Sequence, residues 1–316
     1  MRARPGTVEL MRESVPQMDG VLVLNKPSGP SSSQCLSKIK RAAGQKKIGH
    51  AGTLDPLAQG VLLVLLGQAT KLSNYLMGQK TYRGVLRLGE ITDTWDSQGR
   101  VLESRPWRDV AAETVKTAVL DWKELTEQEV PPYSAAKHEG QPLYKLSRRG
   151  LETPVKIKSI EIFSTELISV DMPCATFRVT CSSGTYIRSL AHSLGMRLGC
   201  GAVLTELTRE YSHPFTLDEA VALEALLEAP ERLAQMVVPL DKALPHWPRV
   251  LLKEAEEAAV RNGTPLAIAE SDALDGPFVE GRQALLLSAA GAPLALAESR
   301  LKDHRPVWTV LRGLWN

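Results

Sequence analysis

The longest unbroken apolar run in the chain is six residues, Val61 to Leu66. That is far short of the roughly 20 residues a membrane-crossing helix needs, and its length suits a buried β-strand. A second run, Val21 to Leu24, stops at Lys26-Pro27-Ser28-Gly29-Pro30 and reads as another buried strand closed by a turn. Ala175, Phe177, Val179 and Cys181 alternate with Thr176, Arg178 and Thr180, as a half-buried strand does. Tyr82 to Leu88 partly alternates and reads the same way. Short strands with helices scattered among them predict an α+β fold rather than a doubly wound βαβ one.

Ser31, Ser32 or Ser33 can cap a helix that carries Leu36 and Ile39 and stops at Gly44. Helices are also expected over Thr114 to Leu125, Thr185 to Leu198, Leu217 to Met236 and Lys253 to Arg261. Gly49 to Gly60 reads as a loop, and Thr92 to Gly99 as a turn. From Pro131 to about Lys158 the chain is polar, basic and aromatic-containing with little periodicity, which suggests an inserted excursion. Pro245-His246-Trp247-Pro248 suits a linker, with strand-like pieces beyond it at Ala284 to Leu287 and Val307 to Leu311. The 316 residues fit about two domains. Met1 to Asp19 lacks the apolar stretch of a secretory signal and is expected to be a loose tail. Cys35, Cys174, Cys181 and Cys200 form no C-x-x-C pair, so reduced, packed thiols are expected and a metal site is not.

The formal net charge of +2 hides an uneven distribution. From Lys26 to Arg83 there are nine basic residues and one acid, Asp55. Lys137 to Lys158 carries six bases against Glu139 and Glu152, whereas Glu254 to Glu280 carries seven acids against Arg261. A basic region offset by acidic ones is the footprint of a polyanion partner, although a solvated lysine-rich face has the same composition. Asp55 sits in Gly49-His50-Ala51-Gly52-Thr53-Leu54-Asp55-Pro56-Leu57-Ala58-Gln59-Gly60. The glycines permit unusual backbone conformations, and Pro56 biases Asp55 away from the helical region. A carboxylate held among cations is kept ionised and can serve as nucleophile or base. A turn-forming aspartate ahead of a proline fits the same residues.

The Asp55 loop resembles the G-H-T-G-T-L-D-P-x-A-x-G signature of the TruB family of tRNA pseudouridine synthases, with Ala51 where threonine is usual. Asn25 to Ser32 resembles the family's K-P-x-G-x-S-S element, Lys80 to Arg83 its K-x-Y-R strand, and Cys181 to Arg188 its C-x-x-G-T-Y-I-R element. Gly199 to Ala202, then Leu204, Leu207 and Arg209, continue the match, which runs from about Gly20 to His213. The resemblance implies a pseudouridine synthase fold over residues 20–244, with a central, mostly antiparallel mixed sheet flanked by helices and loops. It implies a thumb-like insertion at 131–158 and a small β-rich, PUA-like RNA-binding domain over 245–316.

The activity implied is isomerisation of the uridine at position 55, in the T loop of tRNA, after the base is flipped out, with no cofactor and no metal. Asp55 would be the catalytic carboxylate, Arg188 its ion-pair partner, and Tyr82 the residue that stacks on the base. His50 would fill the space left by the extruded nucleotide. Lys26, Lys80, Arg83 and Tyr186 would face the RNA, as would Tyr133, Lys137, Arg148 and Arg149 of the insertion. A cytoplasmic monomer is the corresponding expectation. Two other readings remain open on the residues alone: a tRNA-binding or tRNA-folding protein without catalysis, and a carboxylate hydrolase of small glycosides. The second needs a partner for Asp55, and Asp93 and Asp96 read better as turn formers.

Overall fold

The two apolar runs become neighbours within one sheet. The computed structural model describes residues 17–149, 151, 153–268 and 278–315. In it Gly20–Lys26 (β1) lies antiparallel to Gln59–Leu66 (β3), from Gly20 opposite Leu66 to Lys26 opposite Gly60. Both faces of this pair are covered, which is why the runs are continuously apolar. Leu22, Leu24, Leu62, Val64 and Leu66 pack on one side with Cys35 and Ile39 of the helix Ser32–Ala42 (α1). Val21, Val23, Val61, Leu63 and Leu65 pack on the other with Leu285, Leu296 and Leu314 from the end of the chain. Each such side chain contributes about 1.5–3 kcal/mol of transfer free energy.

The ten-stranded sheet runs in the order Ile162–Asp171, Cys174–Cys181, Lys80–Leu88 (β4), Ala202–Ser212, β3, β1, Val221–Ala222. Three short strands join at its margins, among them Ile48–Ala51 (β2) on β3. Only the contacts of β3 with Ala202–Ser212 and of β1 with Val221–Ala222 are parallel, so the sheet is mixed and mostly antiparallel. The fold class is therefore α+β.

α1 starts where the serines predict. Ser31 accepts from Gln34 N while the Gln34 side chain accepts from Ser31 N, closing a capping box. Gly44 then turns the chain with φ of 58°. Other expectations change. The stretch Gly49 to Gly60 opens as strand β2, and the true loop is 52–58. The span Leu217 to Met236 is not one helix. It breaks into a 3-10 turn (Leu217–Glu219), the strand Val221–Ala222, and helices Leu223–Glu228 and Leu233–Met236. Pro230 lacks the N–H a continuing helix needs, and Ala229 leaves helical geometry with φ −133° and ψ 63°. The excursion after Pro131 contains a hairpin (Lys137–His138 with Gln141–Pro142) and a helical segment, Leu143–Arg148.

The end of the chain forms a five-stranded sheet in the order Arg249–Leu251, Gln283–Leu287, Pro293–Lys302, Arg305–Gly313, Leu266–Ala267. The stretch expected as a linker is packed instead. Trp247 is buried edge-to-face on Tyr75, with ring centroids 5.2 Å apart, and Lys71 Nζ donates to the carbonyls of Gly313 and Trp315. An indole removed from water outweighs the linker signal of its flanking prolines. Met1 to Pro16 of the expected tail, and residues 269–277 of the acidic stretch, lie outside the described residues. The end of that tail is held, because Asp19 Oδ1 accepts from Gln68 N at 2.7 Å.

Candidate active site

The loop Gly52–Ala58 carries Asp55 at the edge of the sheet, between β2 and β3. Its backbone is tied at nearly every residue. Ser32 Oγ accepts from Leu54 N and donates to Leu54 O, both at 2.9 Å. Gly29 N donates to Pro56 O, Ser28 Oγ to Leu57 O, and Ala58 N to Asp55 O. Arg209 Nη2 donates to Gly52 O at 3.0 Å, and Lys26 Nζ to Ala58 O at 2.7 Å. The strand-turn after β1 and the start of α1 thus form the cradle of this loop. Gly60, with φ of 99°, lets β3 lie against the Arg209 backbone, where a Cβ would collide.

Arg188 lies in the first turn of the helix Ile187–Arg197 and uses every guanidinium nitrogen. Nε donates to Asp55 Oδ2 at 2.8 Å, Nη1 to Thr94 O at 2.7 Å, and Nη2 to Tyr133 O at 3.0 Å. One buried cation so joins the Asp55 loop, the Thr92–Gly99 turn and the root of the excursion. Asp96 Oδ2 lies 3.7 Å from the same Nε. The two carboxylates differ in access: Asp55 is 37% exposed, Asp96 8% and Arg188 4%. Asp96 Oδ1 accepts from Thr94 Oγ1 and Gln98 N, the turn-forming bonds its sequence context predicts. Burial raises its pKa, opposed by the bond from Thr94 and by Arg188.

Asp55 opens onto a cavity of about 260 Å³ whose walls include Gly52, Tyr82, Ser134, Thr185, Tyr186 and Arg209. Tyr82 is buried in the wall, and burial raises its phenol pKa, with Arg209 opposing. Tyr186 also lines it, its backbone bracketed by the Gln128 amide in two hydrogen bonds of 2.6 and 3.1 Å. Asp55, Tyr82 and Tyr186 thus line one cavity, and Arg188 pairs with Asp55.

Other candidates sit differently. Lys26 is fully buried and donates to Pro27 O and Ala58 O, so it braces the loop rather than facing RNA. Burial lowers its pKa to about 8. Lys80 is 3% exposed and belongs to the cavity wall, not the outer surface. Arg83 projects from the opposite face of β4, exposed, because successive strand residues alternate sides. His50 stands half-buried on β2, outside the cavity wall. Burial, then Arg209, lowers its pKa, and its Nδ1 is buried without a partner among the described residues. Tyr133 contributes its carbonyl to Arg188. Lys137 and Arg149 are exposed on the excursion, and the Arg148 side chain lies outside the described residues.

Sequence reading assigned no role to Arg209, Ser134 or Thr185. Arg209 stands in a segment that matches the family, which was the available signal; the structure registers it opposite Tyr82. Ser134 is buried on the cavity wall beside Tyr186, whose phenol pKa is raised by burial and opposed by the Ser134 hydroxyl. The second carboxylate a glycosidase would need is also absent from the wall, since Asp96 is turned toward Arg188 and its own turn.

Residues 40–187 match the model of the TruB family pseudouridylate synthase N-terminal domain, and residues 188–245 that of the tRNA pseudouridylate synthase B C-terminal domain. The chain is 61% identical over 302 residues to tRNA pseudouridine synthase B of Nitratidesulfovibrio vulgaris (strain DSM 19637 / Miyazaki F), covering 95% of this chain and 98% of that one. It is 62% identical to the protein of that name in Oleidesulfovibrio alaskensis, covering 95% and 97%. Among solved structures, the Cbf5-Nop10-Gar1 complex contains a chain that superposes with a TM-score of 0.67 at 25% identity, covering 94% of this chain and 85% of that one.

Proposed function

The chain belongs to the TruB family of pseudouridylate synthases and is an isomerase that acts on uridine in tRNA, and from that premise we propose that its target is the uridine at position 55 of the T loop, with Asp55 as the reacting carboxylate. The observation that carries this reading is the unequal pair on either side of Arg188: a half-open carboxylate facing a cavity, pinned by an almost fully buried guanidinium. A carboxylate so paired is held in one orientation, which suits attack or proton abstraction at a reacting sugar or base.

A base within a folded loop reaches such a site only by leaving its stack. The cavity, at about 260 Å³, lies below the roughly 300–1,000 Å³ of sites for larger ligands and suits one pyrimidine ring. Tyr82 and Tyr186 supply two aromatic side chains on its wall, and we assign stacking on the base to Tyr82. We assign His50, half-buried on β2 just before the Asp55 loop, to the space left by the displaced nucleotide. The exposed bases of the excursion supply phosphate contacts around the loop, a role they fill without ordering the reacting groups. We assign catalysis to residues 20–244, with the insertion at 131–158, and a PUA-like RNA-binding role to the C-terminal sheet. We further propose that the enzyme works as a monomer in the cytoplasm.

A protein that only binds or folds tRNA shares the surface but has no use for Asp55. Mapping pseudouridine in a T-loop transcript after incubation with this protein alone tests the reading. The expected product lies at position 55. A product elsewhere overturns the site assignment.

A further inference from the structure

The cavity wall holds two cations that the ion pair at Asp55 does not employ. Lys80 and Arg209 are both buried and both line the cavity. They stand on adjacent strands, β4 and Ala202–Ser212, where Arg209 is registered opposite Tyr82. Among the described residues neither forms an ion pair, whereas Asp55 and Asp96 both face Arg188. Arg209 spends hydrogen bonds on the carbonyls of Val61 and Gly52. Lys80 Nζ makes one, to Gly78 O at 2.8 Å, out of the three an ammonium offers. Gly52, with φ of 80°, lets the Asp55 loop approach them: a Cβ there would lie 3.2 Å from Lys80 Cε and 3.4 Å from Arg209 Nη1. Buried cations without a counter-charge are costly, so a wall that keeps two is built for negative charge arriving from outside the protein.

That charge has a source in the reaction. When the N1–C1′ bond of uridine breaks, its electron pair stays with the base, and the detached uracil is an anion. The ring turns, a C5–C1′ bond forms from the ring's electrons, the proton on C5 departs, and N1 gains one. The product is an isomer, with no atom or electron added. We propose that Lys80 is a further catalytic residue: its ammonium, backed by Arg209 on the cavity wall, offsets the negative charge of the uracil ring between N1–C1′ cleavage and C5–C1′ closure. This inference rests on the site proposed above being the place of reaction.

The groups packed around Lys80 decide its protonation. Arg209, on the neighbouring strand, adds to burial in lowering its pKa to about 8. Cys181, opposite it on the other neighbouring strand, is a neutral thiol because burial pushes it up to about 11. His213, just beyond Ala202–Ser212, is itself held down by burial, His246 and Lys80. Asp55 and Tyr82 complete the surroundings on the wall. The ammonium is therefore present at neutral pH and is lost as pH rises through about 8.

The test is the single-turnover rate with saturating T-loop tRNA, measured from about pH 6 to about 9.5 for the wild type, Lys80→Met and Lys80→Arg, together with Kd and the position of the product. Lys80→Met is expected to slow the chemical step by about 10²–10³-fold, the loss typical of one donor to a developing anion, and to leave Kd within about threefold. Lys80→Arg restores most of the rate, and its profile stays flat where the wild type declines above pH of about 8. The proposal is overturned if Lys80→Met stays within about threefold of the wild-type rate, if its loss is confined to Kd, or if Lys80→Arg declines at the same pH as the wild type. Should Lys80→Met not fold, the last comparison decides alone. Product at a uridine outside the T loop, or turnover by Asp55→Asn, refutes the proposed site instead and leaves the lysine dependence to be read separately.

Discussion

The Asp55 loop and the basic excursion both border the same cavity, and they are held in opposite ways. The loop is tied from outside itself by Ser28, Gly29, Ser32, Lys26 and Arg209. The excursion is bonded largely to itself: Leu143 N to Ala136 O, Tyr144 N to Ser134 O, Ser147 Oγ to Pro132 O, and Lys156 to the Lys137 carbonyl. Its ties to the body are at the root, where Arg188 holds Tyr133 O and Ile157–Ser159 pairs with Glu127–Glu129. Beyond that root Lys137, Lys145, Arg149, Leu151 and Val155 are exposed. A reacting carboxylate needs a fixed position, whereas a segment that closes on RNA needs freedom to adapt. The contrast agrees with the proposed division, chemistry in the first region and grip in the second.

Substitutions at the two regions should therefore separate. Arg188→Met strikes the point where they meet and is expected to have the largest effect. It leaves two carboxylates without their cation, which should cost about 3–5 kcal/mol of stability and about 10²–10³-fold in rate. Thermal melting and single-turnover assays check both, and an unchanged melting point would break the claim that this guanidinium is the hub. Ser32→Ala acts on the loop alone. It orphans the buried Leu54 N–H at a cost of about 1–3 kcal/mol, and because the loop loosens, the chemical step should slow while Kd holds. A loss in Kd only would blur the distinction. The double variant Lys137→Ala/Arg149→Ala acts on the excursion. Its stability should stay within about 0.5 kcal/mol of the wild type. Its binding should weaken, with the slope of log K against log salt shallower by about 0.7–0.9 for each phosphate that is no longer neutralised. A slope unchanged in titrations across salt would remove these side chains from the interface.

The pattern of legibility follows the same physics. β1 and β3 were readable because burial on both faces leaves a continuous apolar run. The core strand Cys174–Cys181 was readable because burial on one face leaves alternation. Asp55 stood out as the lone acid in a basic span. The lysines misled, since Lys is seldom buried and composition treats every Lys as surface. The signal that corrects this lies in the register of β4: Lys80 shares the face of Tyr82, and Arg83 takes the other. Lys26 carries no such local mark, because its burial follows from the distant Ala58 carbonyl it serves. The break at Ala229-Pro230 was written in the sequence, but a run of leucines and acids outweighed it.

The central claim is that the loop-held carboxylate reacts while the remaining surface binds, and Asp55→Asn tests it most directly. Incubated with a T-loop tRNA under single-turnover conditions, this variant should form no pseudouridine, a loss on the order of 10⁴-fold or more. Its Kd should remain within about tenfold, a difference of about 1.4 kcal/mol. Pseudouridine formed at the wild-type rate by Asp55→Asn would contradict the account.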